Sequence, residues 1–286
     1  MTLFRTFWAI CLGLASVSGA SAQTLYFSAI PDEDETALVE RFSKVAEYLG
    51  AQLGVDVEYV PVKDYPAAVT AFRNDQVQLA WFGGLTGVQA RLLTPGSRAI
   101  AQGTEDQAFV TYFIANESTG LVEGGEFPTA AQGMSFTFGA QTSTSGRLMP
   151  DYFIRQATGQ APDEFFSDVA FSGDHSQTLR LVASGAYQVG ALNFAVYDQA
   201  VAKGVPEIET AHIIWRTPSY PDYNWTIRGD VDERWGEGFA DRVQAALVGM
   251  TDPELLAAFP REGFVPAANE DYAPIEDVAR ELDLLE

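Results

Sequence analysis

Cysteine is almost missing from this chain. The 286 residues hold one, Cys11, inside an N-terminal segment that reads as a processing signal. Removing that segment leaves no thiol, which excludes disulfides, thiolate catalysis and cysteine metal sites. Histidine is nearly as scarce. His175 and His212 are the only two, they stand at no metal-ligand spacing, and H-E-x-x-H does not occur. Cations are few: 17 lysines and arginines face 39 aspartates and glutamates, for a net charge of −22. A field of that sign makes nucleic acid and anionic lipid surfaces poor partners. Long-range attraction would not draw an anion in either. Any anion has to be held by local donors, in a pocket screened from the surface carboxylates. No apolar run is long enough to read as a membrane span.

What is present begins with the leader. Arg5 is the only charge before Asp32, Phe7 to Leu14 is apolar, and Ala20-Ser21-Ala22 has the small-x-small form of a cleavage site. Residues 1–22 are therefore expected to be a signal peptide, with export to the periplasm and a mature chain starting at Gln23. The residues before Cys11, Trp8-Ala9-Ile10, do not match a lipoprotein cleavage motif. The remaining length suits two lobes or one large domain.

The most informative stretch is 135–146, Ser-Phe-Thr-Phe-Gly-Ala-Gln-Thr-Ser-Thr-Ser-Gly. Ser135 to Gly139 alternates as a strand does. Thr142, Ser143, Thr144 and Ser145 are four consecutive hydroxyls closed by Gly146. A helical run follows from Arg147 to Gln156, with Leu148 and Tyr152, then Met149 and Phe153, at i,i+4 spacing. A strand that delivers hydroxyls to a helix N-terminus makes an anion cradle. The first helical N–H groups lack partners and the peptide dipoles favour negative charge. Hydroxyls add donors without adding charge. One Ser or Thr would suffice for a plain N-cap. Pro150 is expected to remove one helical hydrogen bond and kink the first turns. Arg147 is expected to point outward, leaving a cradle without a cation.

Strand and helix signals alternate along the rest. Leu25–Ile30, Val55–Val62 and Leu79–Phe82 read as strands. Thr36–Leu53, Tyr65–Arg73 and the stretch from Gly83-Gly84 to Leu92 read as helices. The pattern restarts with strands at Phe109–Asn116 and Ser135–Gly139 and a Gly-rich hairpin around Gly124-Gly125. Val169–Phe171, Val189–Leu192 and His212–Trp215 are further strands, and His175–Ser184 and Asn193–Lys203 are helices. Residues 217–223 look like a crossing segment, and the part from Trp225 on reads as mostly helical. The alternation implies α/β lobes with parallel sheets covered by helices, and a cleft where strand C-termini meet.

At this point the chain resembles a known family. Ala29-Ile30-Pro31-Asp32, Asp64-Tyr65, Ala80-Trp81-Phe82-Gly83-Gly84, Ser143-Thr144-Ser145-Gly146, Phe171-Ser172-Gly173-Asp174-His175, Gly190-Ala191-Leu192-Asn193 and Tyr223-Asn224-Trp225 occur in the order seen in one group of proteins. These are the periplasmic substrate-binding proteins of phosphate/phosphite/phosphonate ABC transporters. The chain is especially similar to the branch labelled putative selenate transporter binding proteins. The resemblance implies a type II periplasmic binding protein fold: two α/β lobes with a ligand cleft between them. It implies lobe 1 from 23–108, lobe 2 from 109–216, and a crossover with return to lobe 1 over 217–286. It implies binding of a small tetrahedral oxyanion and delivery to an inner-membrane permease and its ATPase, by a monomer without cofactor, metal or catalysis.

The resemblance also implies roles. Ser143, Thr144 and Ser145, with Thr142 beside them, would grip the oxyanion. Tyr65 and Phe109 would line the cleft from the two lobes, and His175 would donate to an anion oxygen. Trp81, Phe82, Gly83, Asp174, Asn193 and Tyr223 are further cleft candidates. In aminoethylphosphonate binders two acidic residues hold the ligand's ammonium. Here those positions align with Ala195 and Tyr223, against such a ligand, although Asp222 is one residue away.

Other readings stay open from the residues alone. Asp174 is a plain N-cap if it does not face the cleft, Trp81 and Phe82 fit core packing, and His212 reads as structural. Ser143, His175 and Asp174 supply the residue types of a hydrolase triad. However, G-x-S-x-G is absent and adjacent Asp and His make an orienting bond awkward. The same bound protein would also serve as the input of a membrane sensor.

Overall fold

A computed structural model describes residues 23–285, so the signal-peptide segment and Cys11 lie outside the described residues. Eleven strands occur among the described residues. They are β1 (Leu25–Ala29), β2 (Val57–Tyr59), β3 (Leu79–Phe82), β4 (Arg98–Gly103), β5 (Thr111–Asn116), β6 (Ser135–Phe138), β7 (Asp168–Phe171), β8 (Val189–Asn193), β9 (Ala211–Arg216), β10 (Asn224–Ile227) and β11 (Phe264–Pro266). They form two sheets, one of six strands in the order β11-β4-β10-β3-β1-β2 and one of five in the order β7-β6-β8-β5-β9. Each sheet is the centre of one α/β lobe.

Both sheets are mixed, which corrects the expectation of parallel ones. In the first, β1 runs parallel to β2 and β3, but β10 lies antiparallel between β3 and β4, and β11 is antiparallel to β4. In the second, β6 is parallel to β7 and β8, whereas β5 is antiparallel to β8 and β9. The reason is the double crossing. The chain leaves the first sheet after β4 and returns as β10, which enters from the cleft side and so runs against its neighbours. The sequence reading omitted β4, β10 and β11. β10 and β11 are short, and Trp225-Thr226-Ile227 lies in the region that reads as mostly helical; β4, six residues long, carries no alternating pattern.

Helices cover the sheets. In lobe 1 these are α1 (Glu35–Leu53), α2 (Tyr65–Arg73) and α3 (Gly84–Leu93). Lobe 2 contributes α4 (Met149–Thr158), α5 (Pro162–Phe165), α6 (His175–Ala183) and α7 (Phe194–Lys203). After the return come α8 (Val231–Trp235), α9 (Phe239–Val248), α10 (Pro253–Ala258) and α11 (Ala273–Glu281). The period-3.6 signal of α1 is real: Leu38, Phe42, Val45 and Leu49 are buried on one face. Gly54 ends it in the left-handed region at φ 71°, its N–H returning to Gly50. The Gly124-Gly125 hairpin does not form. No strand lies between β5 and β6, and the Gly124 N–H donates to the Ile214 carbonyl instead. His212 is exposed on β9, an edge strand, rather than packed in the core.

The two crossings are stitched together. Phe109 and Tyr220 exchange backbone hydrogen bonds of 2.8 and 3.0 Å, and the Asp222 N–H donates to the Asp106 carbonyl at 3.0 Å. Arg261 then forks onto the Asp106 carboxylate at 2.9 and 2.8 Å, with both side chains buried. That clamp fixes where residues 220–224 re-enter lobe 1, and therefore where Asp222 and Tyr223 face.

Candidate functional site

The hydroxyl cluster folds as anticipated in place but not in form. After β6, Gly139 and Gly146 lie backbone to backbone, the Gly139 N–H donating to the Gly146 carbonyl at 2.8 Å. A Cβ on Gly146 would stand 3.0 Å from Ser143 Oγ and 3.1 Å from both Gly139 Cα and His175 Cε1, so a side chain there would push these groups apart by a few tenths of an ångström. Residues Thr144–Leu148 make a single π turn before α4, a geometry frequent at functional sites. Pro150 is the second residue of α4, directly after that π turn, so the irregular backbone falls where its missing N–H was expected to disturb the first turns.

Each hydroxyl has a distinct situation. Ser143 Oγ caps the π turn, accepting from the Gly146 N–H at 3.0 Å. Thr144 Oγ1 reaches across the cleft and accepts from the Leu85 N–H at the start of α3, at 2.9 Å. Ser145 holds the Thr111 hydroxyl on its carbonyl at 2.8 Å and leaves its own Oγ 3.5 Å from His175 Nε2. Thr142 Oγ1 is buried without a partner. Arg147 turns away, pairing with Asp151 and covering the Phe138 ring at 4.7 Å. The cradle thus contains donors and no cation.

His175 starts α6 behind this cluster and is fully buried. Burial pushes its imidazole down to about 3, so it is neutral at physiological pH. Its Nδ1 accepts from the Asn193 N–H at 3.3 Å, which leaves the proton on Nε2, the nitrogen turned toward Ser145. Asp174 is the N-cap of α6, accepting from the Gln177 N–H at 2.7 Å. With Ser143 committed to Gly146 and Asp174 to Gln177, no Ser–His–Asp chain exists.

Lobe 1 supplies the facing wall. Asp64 caps α2 by accepting from the Ala67 N–H at 2.8 Å, which sets Tyr65 on the first turn. The Tyr65 hydroxyl is buried, near Ser143 but with no partner of hydrogen-bond geometry. Gly83 lets α3 approach closely, since a Cβ there would stand 3.2 Å from both Thr144 Oγ1 and Asp222 Oδ1. The Gly84 N–H donates to Asp222 Oδ1 at 2.9 Å, whereas Asp222 Oδ2 is buried and unpartnered. Burial raises this carboxyl to about 7, against the lowering effect of the Gly84 N–H and the Thr144 hydroxyl. Asp32 repeats the pattern: burial raises it to about 6, Oδ2 accepts from the Tyr223 hydroxyl at 2.7 Å, and Oδ1 has no partner.

The remaining candidates are brought close but play other parts. Phe109 is buried at the crossing against Phe194, Tyr220 and Tyr223. Trp81 stacks on Tyr223 at 5.3 Å, and Phe82 packs edge-on against Phe72 in the lobe 1 core. Asn193 caps α7 and donates its side-chain N–H to the Tyr223 hydroxyl at 3.0 Å. Residue 195 is a buried alanine, so the acid of this wall is Asp222. Sequence reasoning passed over Asp32, Asp106 and Arg261 as site residues and held Asp222 only as a neighbour. Asp32 and Asp222 each follow a proline, a weak signal that became meaningful only with their burial. Outside Tyr65 and Thr142 the cleft opens as a groove of about 720 Å³, lined by Tyr59, Val62, Phe171, Asp34 and Asp174 among others.

This chain matches the family model described as ABC transporter, phosphonate, periplasmic substrate-binding protein, over residues 27–272. It is 37% identical to a probable ABC transporter phosphite binding protein, PhnD1, of Prochlorococcus marinus (strain MIT 9301), covering 92% of this chain and 91% of that protein. It is 22% identical to the phosphonates-binding periplasmic protein of Escherichia coli (strain K12), covering 90% of this chain and 76% of that one. Among solved structures, PhnD1 from Prochlorococcus marinus in complex with methylphosphonate superposes with a TM-score of 0.86, over 91% of this chain and 98% of that one.

Proposed function

The chain belongs to the family of periplasmic substrate-binding proteins of phosphonate ABC transporters, and we propose that its own ligand is a monoprotonated phosphonate or phosphite held between the hydroxyl cradle and Asp222. It is a transport protein and not an enzyme. One observation carries the ligand reading. Thr142 Oγ1, Tyr65 Oη and Asp222 Oδ2 are all buried without partners at the junction of the lobes. Buried polar atoms are otherwise almost always satisfied. Two of these groups donate and one carboxyl shares a proton, which matches an anion with both acceptor oxygens and one hydroxyl. Ser145, Thr144, Ser143 and the His175 Nε2–H complete the donor set. A fully deprotonated tetrahedral anion such as selenate offers Asp222 no proton, so it is the weaker ligand.

A second reading, an aminoalkylphosphonate, is supported by the two buried carboxyls, Asp32 and Asp222, each with one free oxygen. Calorimetric titration of the mature protein with methylphosphonate, phosphite, aminoethylphosphonate, phosphate and selenate tests both. The first reading expects methylphosphonate or phosphite tightest. Selenate binding tighter than every phosphorus ligand would overturn it, and a preference for aminoethylphosphonate would select the second.

The proposal extends to the rest of the molecule. Residues 23–108 and 217–286 form the lobe carrying Tyr65 and Asp222, and 109–216 the lobe carrying the cradle and His175. Residues 1–22 are a signal peptide removed on export. The monomer closes on its ligand by hinge bending at the paired crossings and presents the closed form to the permease.

A further inference from the structure

Several contacts between the lobes converge on Asp32 and its neighbour Asp34. The Asp32 carbonyl accepts from the His175 N–H at 3.1 Å. The Asp32 carboxylate accepts from the Tyr223 hydroxyl at 2.7 Å, and that hydroxyl accepts from Asn193 Nδ2 at 3.0 Å. The Asn193 backbone N–H donates to His175 Nδ1 at 3.3 Å. These four bonds close a ring through Asp32, Tyr223, Asn193 and His175, two residues from each side of the cleft. Two residues further on, Asp34 pairs with Arg180 of α6 at 3.3 Å, on the surface.

The ring lies beside the cradle rather than in it. The single proton of the Tyr223 hydroxyl is committed to Asp32, and the Asn193 side-chain oxygen, Oδ1, to the Ala195 N–H at 2.7 Å. The His175 Nε2–H is not used and stays free toward Ser145. The Tyr223 ring has no freedom to turn elsewhere, being stacked on Trp81 and covered by the Arg261 guanidinium at 5.5 Å.

We propose that Asp32 and Tyr223 are positioning residues that latch the lobes and seat His175, and so set how long a bound anion stays without touching it. The proposal rests on the anion-site reading above. The physical basis is differential. Two of the four bonds cross the cleft, from the His175 N–H to the Asp32 carbonyl and from Asn193 Nδ2 to the Tyr223 hydroxyl; in an open molecule those groups bond to water, so the crossing bonds add nothing there. In the closed molecule both crossing bonds are buried, and the charge-assisted bond from the Tyr223 hydroxyl to Asp32 within lobe 1 turns that hydroxyl's lone pairs toward Asn193. Only interactions that differ between two states shift their balance. The latch therefore acts on release: encounter with the open form is unaffected, and escape requires the ring to break.

Stopped-flow tryptophan fluorescence of the mature protein with methylphosphonate tests this, Trp81 being stacked on Tyr223 as an internal reporter. Tyr223→Phe, which loses the bond across the cleft, and Asp32→Ala, which frees the hydroxyl that accepts it, should each raise the dissociation rate about three- to tenfold, the scale of losing a neutral hydrogen bond, with the association rate unchanged. Asp32→Asn, whose amide oxygen still accepts from Tyr223, should recover most of the loss. The melting temperature of ligand-free Tyr223→Phe reports the separate cost of losing the Tyr223–Asp32 bond within lobe 1, and a merely structural role would lower it without changing the dissociation rate. Wild-type dissociation rates in Tyr223→Phe and Asp32→Ala would overturn the latch. If Asp32→Ala does not fold, Tyr223→Phe, which keeps the ring stack, decides alone. If the wild type binds no oxyanion at all, the function reading fails separately. Small-angle scattering then decides the latch: a ligand-free radius of gyration no larger in Tyr223→Phe than in wild type would refute it.

Discussion

The Gly84 amide donates to Asp222 Oδ1 at 2.9 Å, and this contact places an acid of the returning crossing at the N-terminus of α3. Its other oxygen is buried and unpartnered beside the cradle. A carboxyl raised to about 7 is poised to hold or accept one proton near neutral pH. Asp222→Asn should therefore weaken phosphite and methylphosphonate binding by about 1.5–3 kcal/mol, the range for a hydrogen bond to a charged group. It should weaken selenate binding less, because the asparagine N–H still serves a fully deprotonated oxygen. Calorimetry on the one variant with three anions gives the answer, and an equal loss for all three would reject the proton-matching role.

The same burial predicts how closure responds to pH. Asp222 and Asp32 are raised from 3.8 to about 7 and about 6 in the closed molecule, in both cases chiefly by burial. Raised carboxyl values mean that the closed form binds more protons than a solvated one. Closure is then unopposed below about pH 4 and grows costlier as pH rises through 6 and 7. Ligand-free protein should shift toward a larger radius of gyration across that window, and Asp222→Asn should flatten the upper part of the transition.

Tyr65 separates binding from stability. Its hydroxyl is buried without a partner, which costs about 1–3 kcal/mol of desolvation in the closed form. Tyr65→Phe removes that cost and keeps the ring. Ligand-free protein should melt no lower than wild type, whereas methylphosphonate affinity should fall about tenfold or more, as for a lost bond to a charged ligand. A melting temperature and affinity that drop together would show the hydroxyl to be structural.

Local signals carried much of this molecule, and long-range ones did not. The α1 stripe, the hydroxyl run and the capping aspartates at 64 and 174 act within a few residues, so their patterns are visible in the chain itself. Arg147 turns from the hydroxyls as expected, but instead of pointing outward it is largely buried, paired with the buried Asp151 and packed over Phe138. What stayed hidden depends on the double crossing. Nothing within Pro221-Asp222-Tyr223 says that Asp222 meets Gly84, 138 positions earlier in the chain. Arg261 is separated from Asp106 by 155 positions and reads as an ordinary charge until the fold buries both. Thr144 was expected to serve the anion alone, yet its oxygen also accepts from Leu85 across the cleft.

The cradle hydroxyls divide by what else they hold. Ser143 Oγ accepts from Gly146, so Ser143→Ala loses a cap and should lower stability by about 0.5–2 kcal/mol in addition to weakening the anion. Ser145 Oγ caps nothing; it approaches His175 at 3.5 Å and lies beside the Asp222 carboxyl. Ser145→Ala should weaken methylphosphonate by about 1.5–3 kcal/mol with little change in unfolding free energy. Urea denaturation alongside calorimetry distinguishes the two, and equal unfolding midpoints for both variants would contradict the cap.

The Asp106–Arg261 pair holds the crossing from which Asp222 projects. Both side chains are buried, and the Asp106 backbone carbonyl accepts the Asp222 N–H at 3.0 Å. The carboxylate is also held by the Gly103 N–H at 3.0 Å. Arg261→Met leaves that carboxylate buried without its cation and should cost about 3–5 kcal/mol of stability. A double variant, Asp106→Asn with Arg261→Met, removes both charges together and should recover a large part of the loss, because the penalty belongs to the unpaired ion rather than to the missing pair. Affinity discriminates further. If the clamp positions Asp222, the double variant should regain stability yet keep weakened methylphosphonate binding, since no guanidinium then covers Phe109 and Tyr223, 5.7 and 5.5 Å away. Full recovery of both stability and affinity would mean that the backbone pairing of the crossings positions Asp222 without help from the clamp.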